Sequence, residues 1–186
     1  MEKKINKEEL LKRLLIIAKD PFTTCEQKFD IRKIFENSTN FFGRNHLFLV
    51  QCYFAEENPI FVVSKEEAIQ QARLAVKEGC LYGCYYLFHL VKDTRPVDAR
   101  NFLRIAADEG IAEACLEMAK CQHYGNVFEK NRKQAFENYK KAAQSGMMEG
   151  YYGMLIMASE DRDKDLQERI YNQAKERGIE LPGITL

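Results

Sequence analysis

Neither sign of charge predominates in this 186-residue chain, in which 28 Lys and Arg face 28 Asp and Glu. A balanced surface has no long-range field to draw in a polyanion or an anionic bilayer, so neither nucleic acid nor membrane is an expected partner. Histidine is scarce, at three, and His46, His89 and His123 lack the paired spacing with cysteine that makes a zinc site, so no metal or other cofactor is expected. Long apolar runs are missing too. The N-terminal run Leu14 to Ile17 has charges on both sides and no small-residue cleavage site after it, which fits neither a signal peptide nor a membrane span. A cytoplasmic location is the expectation, with the six cysteines reduced and acting as small apolar side chains. No nucleophile elbow, phosphate-binding glycine loop or carboxylate constellation appears, so an enzyme is not expected and no catalytic residue is assigned.

What remains is helix. No period-two alternation is long enough for a strand. Asn6 with Glu9, Thr24 with Gln27, Ser64 with Glu67 and Asn131 with Gln134 each set a capping side chain three residues before a Glu or Gln, which marks four helix starts. Pro21, Pro59, Pro96 and Pro182 fall at breaks or in first turns, where a missing N–H does no harm. The pattern predicts ten helices at about 7–19, 24–37, 43–56, 65–78, 81–92, 96–109, 112–123, 131–145, 148–160 and 163–177. Ile60 to Val63 reads as an apolar link.

The helices repeat. Glycine closes a helix at Gly79, Gly110, Gly146 and Gly178, spaced 31, 36 and 32 residues apart. Each is suited to the left-handed conformation that ends a helix. Four residues before each glycine stands Ala75, Ala106, Ala142 or Ala174. Eleven before stand Ala68, Ala99 and Ala135, with Gln167 in the last copy, and seven before stand Ala72, Leu103, Tyr139 and Tyr171. These positions share one helical face. After the glycine, the fourth residue is small (Gly83, Ala114, Gly150) and the eighth is large and apolar (Leu87, Met118, Met154). Small residues on one helix facing small and large residues on the next describe an antiparallel pair that buries its faces only by stacking on copies of itself.

Ala114, Met118, Ala119, the link Gly125-Asn126-Val127, then Ala135, Tyr139, Ala142-Ala143 and Gly146 resemble the Sel-one-like repeat, a relative of the tetratricopeptide repeat. The resemblance is strongest over 111–146 and extends to 80–110 and 147–178. Residues 45–79 supply a good second helix only. The first of these flanking copies replaces the Gly-Asn link with Asp93-Thr94-Arg95-Pro96 and the second with Glu160-Asp161-Arg162-Asp163. Some members of the family pin each helix pair with a disulfide, but Cys115 and Cys121 have no cysteine in the second helix of their own repeat. The implied fold is all-α, an α/α superhelix of stacked antiparallel helix pairs. Residues 1–42 would form a helical cap, 43–178 an array of about four pairs and 179–186 a tail, as one compact unit. Phe22, Phe29, Ile34, Phe35, Phe41 and Phe42 would pack the cap, and the tail would fold back on the last helix.

The resemblance implies a non-catalytic adaptor that holds a protein or peptide on the concave face lined by its first helices, as a monomer or weak homo-oligomer. The tetratricopeptide register puts Tyr82, Tyr85, His89 and Lys92 on that face, then Glu113, Leu116, Lys120, His123 and Tyr124, then Glu149, Tyr152 and Ile156. Tyrosine and histidine suit recognition because each ring offers contact area at little entropic cost and keeps a polar tip. The alternatives are a small enzyme or redox protein using Cys84 or Cys121 with a histidine, and a structural subunit that self-associates.

Overall fold

A computed structural model describes residues 7–19, 25–36, 43–55, 61 and 63–183. Ten α-helices occur among them: α1 (Lys7–Lys19), α2 (Cys25–Glu36), α3 (Arg44–Phe54), α4 (Lys65–Lys77), α5 (Tyr82–Val91), α6 (Pro96–Asp108), α7 (Ala112–Tyr124), α8 (Arg132–Gln144), α9 (Met148–Glu160) and α10 (Lys164–Glu176). No strand occurs among the described residues. Every expected helix is present, with ends within two residues of the pattern. Asn6, Pro21, Phe22, Thr24, Phe41, Phe42, Pro59 and Ile60 lie outside the described residues, as do the side chains of Phe29 and Phe35.

Two compact units divide the chain, Met1–Leu90 and Val91–Leu186. Both use the same helix stop. At Gly79, Gly110, Gly146 and Gly178 φ is 90°, 78°, 91° and 70°. The glycine N–H donates to the carbonyl three residues back, and the next N–H reaches the alanine four residues before the glycine, as in Cys80 to Ala75 at 2.8 Å and Met147 to Ala142 at 3.1 Å. These paired bonds satisfy carbonyls that a helix end leaves open, and only glycine takes the left-handed turn without a Cβ penalty. The alanine before each stop thus has two tasks, accepting the closing bond and letting a neighbouring helix approach.

In the first unit α3 packs on α4, and α4 starts with the expected capping box: Ser64 Oγ accepts from Glu67 N–H while Glu67 accepts from Ser64 N–H at 2.7 Å. Ala68, Ala72 and Ala75 are fully buried. Gly83 of α5 comes so close that a Cβ there would sit 2.6 Å from the Ala72 carbonyl oxygen. His46 is buried on α3 between Gln71, 2.7 Å from Nδ1, and Glu78, 3.4 Å from Nε2. On α2, Ile31 is buried and Ile34, expected to pack inward, is 44% exposed.

In the second unit α7 packs on α6 and α8, and α9 on α8 and α10. Ala99, Leu103, Ala106, Ala135, Ala142 and Ala174 are each 0% exposed, so the small-residue faces read from the repeat are helix contacts. Gly150 repeats the close approach of Gly83: a Cβ would meet the Ala143 nitrogen at 2.5 Å and the Tyr139 carbonyl oxygen at 2.6 Å. The helices are antiparallel, since the C-terminal end of α7 meets the N-terminal half of α8 through Gln122 and Asn138. Asn131 caps α8 by accepting from Gln134 N–H, and Asp163 caps α10 by accepting from Leu166 N–H. The tail turns back, with the Tyr152 hydroxyl donating to the Pro182 carbonyl at 2.8 Å and Leu181 buried.

Candidate functional site

In the first unit the first helices of successive pairs, α3 and α5, carry an aromatic patch. Phe54 lies 5.4 Å from Tyr86 and 6.5 Å from His89 between ring centroids, and Tyr85 lies 4.7 Å from His89 and 5.9 Å from Tyr82. Edge-to-face and tilted rings at these separations hold one another in place. Phe54 is 40% exposed and Tyr82, Tyr85, Tyr86 and His89 are partly exposed. Gln51 donates to the Tyr86 hydroxyl at 3.3 Å, which orients that ring. Tyr82, Tyr85 and His89 were expected together from the repeat register; Phe54 and Tyr86 were not. Phe54 sits at the last position of a helix that matches the repeat poorly, and Tyr86 precedes the large apolar position Leu87. Their approach to α5 residues is a tertiary fact that no periodicity carries.

In the second unit the expected residues separate into two groups. Tyr124 is 62% exposed and Ile156 46% exposed; Glu149 is exposed, Glu113 and Tyr152 half-buried, and Lys120 pairs with Glu117 at 3.0 Å. Lys92 is exposed in the link after α5. Leu116 and His123, in contrast, are buried. His123 is 2% exposed, and both its ring nitrogens have partners. Nε2 donates to Glu160 Oε2 at 3.0 Å, Nδ1 faces the Tyr139 hydroxyl at 3.5 Å, and Tyr124 stacks on one face at 4.6 Å. Burial removes both side chains from any surface, and for His123 the cause is Glu160, which one repeat later supplies the acceptor a buried imidazole needs. Arg132 joins the same Glu160 oxygen at 2.5 Å and Asp161 at 2.7 Å. With Arg132 donating first and His123 second, the Glu160 carboxyl is drawn down to about 2.

A groove lies over α7, where α6 and α8 flank it. A cavity of about 700 Å³ is lined by Arg104, Met118, Gln122, Phe128, Gln134 and Asn138 among others. It continues toward Arg100, Asn101 and Lys130. Its floor is a row of amides: Asn138 donates to Gln122 at 2.9 Å and Gln122 to Gln134 at 3.0 Å. The link after α7 forms one wall, tied down where Asn131 N–H donates to the Gln122 carbonyl at 2.8 Å. No sequence signal pointed here, because the lining comes from three helices and a link.

The thiols are placed for packing. Cys52, Cys84, Cys115 and Cys121 are buried, and burial raises the pKa of each, Cys121 to about 11 with Glu117 adding to the rise. Such a thiol holds its proton at neutral pH and is a poor nucleophile. No cluster of three His, Cys, Asp or Glu side chains able to hold a metal occurs among the described residues.

Stacked antiparallel helix pairs with glycine stops and alanine contact faces define a helical repeat protein. No family model matches the sequence, and no curated protein does. Among solved structures, the chain is similar to a protective antigen present in uropathogenic Escherichia coli strains and displaying an SLR fold. That match has 15% sequence identity and a TM-score of 0.61, over 91% of this chain and 41% of the other. It is similar also to a Sel1 repeat protein from Oxalobacter formigenes, at 16% identity and a TM-score of 0.59, over 93% of this chain and 57% of that one. The fold of this chain is therefore the Sel1 repeat fold, as the residues of 111–146 implied, and the chain spans about half the length of the proteins it matches.

Proposed function

We propose that the chain is a non-catalytic scaffold that holds a protein or peptide on the face of its first helices, the concave face in helix-pair arrays. The observation that carries this reading is the patch of Phe54, Tyr82, Tyr85, Tyr86 and His89. Five partly exposed rings on α3 and α5 pack on one another, edge to face or tilted. Rings already held by their neighbours lose little freedom when a partner covers them, and their hydroxyls and imidazole offer directional bonds at the edge of an apolar surface. The balanced charge supports recognition by shape rather than by long-range steering. A catalyst built on cysteine and histidine is disfavoured by the raised thiol pKa values at Cys84 and Cys121.

A photo-crosslinking residue placed at Tyr85 in the native cell should capture a discrete partner, while one at the exposed Arg73 of α4 should not. Phe54→Ala and Tyr86→Ala should reduce that capture at unchanged helicity. Equal capture from Arg73, or capture unaffected by either alanine, would remove the aromatic patch from the binding surface.

A further inference from the structure

We propose that the groove between α6 and α8 is a second binding site and that it takes an extended peptide segment bearing acidic side chains. Two independent features point to that ligand. The first is charge. Arg100, Arg104, Lys130, Lys133 and Lys141 line the groove against Asp108, Glu129 and Glu137. All five cations are exposed, and none forms an ion pair within the chain among the described residues. Unpaired guanidinium and ammonium groups along a cleft are suited to carboxylates, with arginine able to grip one through two parallel bonds.

The second feature is the amide row on the floor. Gln122 is 8% exposed, and it uses one end of its amide on Asn138 and the other on Gln134. Whichever way the three amides are turned, the row ends with one free carbonyl oxygen and one free NH₂ group, on Gln134 and Asn138. A peptide bond offers the complementary pair, one acceptor and one donor. Gln134 and Asn138 are four residues apart on α8, about 6 Å along the axis at 1.5 Å per residue. An extended chain repeats the same-side orientation of its backbone groups every two residues, about 6.6 Å. The match lets both ends of the row bond one strand-like segment, while side chains on that segment's outer edges reach the cations on α6 and α8. A nucleic acid fits less well, because Asp108, Glu129 and Glu137 on the rim would repel a continuous phosphate backbone.

The test is an array of randomised eight-residue peptides probed with the full chain, together with fluorescence anisotropy of a labelled oligothymidylate. Asp and Glu should be enriched at least fivefold at alternating positions among bound peptides. Arg104→Glu with Lys133→Glu, both exposed sites, should abolish the enrichment at unchanged circular dichroism. Gln134→Ala with Asn138→Ala should weaken all retained peptides about tenfold without changing the acidic preference, since these residues act on the backbone. Arg73→Glu, at an exposed site of α4 outside both surfaces, should leave the enrichment as it is. Absence of acidic enrichment, or the same enrichment on the charge-reversed variant, would overturn the proposal. Oligothymidylate binding tighter than the best acidic peptide would replace it with a nucleic-acid site.

Discussion

His123 on α7 donates through Nε2 to Glu160 Oε2 on α9 at 3.0 Å, joining two first helices across one repeat. The same oxygen accepts from Arg132 of α8, so three helices meet on one carboxylate. Arg132 and His123 together lower the Glu160 pKa to about 2 from an ordinary carboxylate value. A carboxyl with a depressed folded-state pKa stabilises the fold fully above its unfolded value, near 4.5, and that contribution fades as pH falls from there toward 2. Wild type should therefore lose more of its urea midpoint between pH 6 and pH 2.5 than Glu160→Gln, whose amide oxygen still accepts from His123. Parallel curves for the two proteins would mean that the carboxylate charge contributes nothing, as many exposed ion pairs do.

Gly150 and Gly153 place α9 against Tyr139 so closely that neither tolerates a methyl group in the present arrangement. At Gly150 the obstacle is backbone of α8, at Gly153 the Tyr139 ring. In an isolated helix Gly→Ala would gain about 1 kcal/mol. Here over-packing should outweigh the gain, and each alanine variant should lose about 1–3 kcal/mol in urea unfolding. The backbone obstacle cannot rotate away, so Gly150→Ala should cost more than Gly153→Ala, and the reverse order would contradict the close approach of α8 and α9.

Arg162 ends α9 with the same hydrogen bonds the glycines use, its N–H reaching Ser159 and that of Asp163 reaching Ala158 at 2.9 Å, but with φ at 56°. A side chain in the left-handed region costs roughly 1 kcal/mol. Arg162→Gly should raise stability by about 0.5–1 kcal/mol and Gly146→Ala should lower it by about 1 kcal/mol. A destabilised Arg162→Gly would mean that the arginine side chain makes a contribution larger than the strain.

Local rules made much of the fold legible. Glycine stops, the Ser64 box, the Asn131 cap and the buried alanines are set by groups within a few residues of one another, and each was readable from spacing. Gln167, which broke the alanine pattern, turns out to bond the Ala158 carbonyl with its amide at 3.4 Å, a polar contact replacing a small one. What was not readable depends on partners one repeat away. The repeat register put His123 on the concave face, and the group that satisfies it in the interior, Glu160, is 37 residues on. Phe54, Tyr86 and the amide row on Gln122 were missed for the same reason, since neighbours from different helices make them a patch or a floor.

The Tyr152 hydroxyl donates to the Pro182 carbonyl, so one first-helix residue expected to face a partner is already engaged by the residues after α10. Tyr152→Phe removes one hydrogen bond, worth about 0.5–1.5 kcal/mol. Hydrogen exchange at residues 179–183 should quicken about threefold to tenfold, with the rest of the second unit unchanged. Unaltered exchange there would show that the burial of Leu181 alone fixes the tail.

Cys121 is buried at the end of α7, and desolvation carries its thiol to about 11. Cys84 and Cys115 are raised by the same cause. Only the thiolate attacks an alkylating agent, so at pH 7.5 the reactive fraction is small, and burial blocks access to what little exists. Peptide mass spectrometry after iodoacetamide should show Cys84, Cys115 and Cys121 modified at least a hundredfold more slowly in the native protein than in 6 M guanidinium. The half-buried Cys80 should react sooner than these three. Fast native alkylation of Cys84 or Cys121 would revive a nucleophilic role and count against a purely binding protein, because a thiol packed as α7 and α5 pack theirs has no physical route to that reactivity.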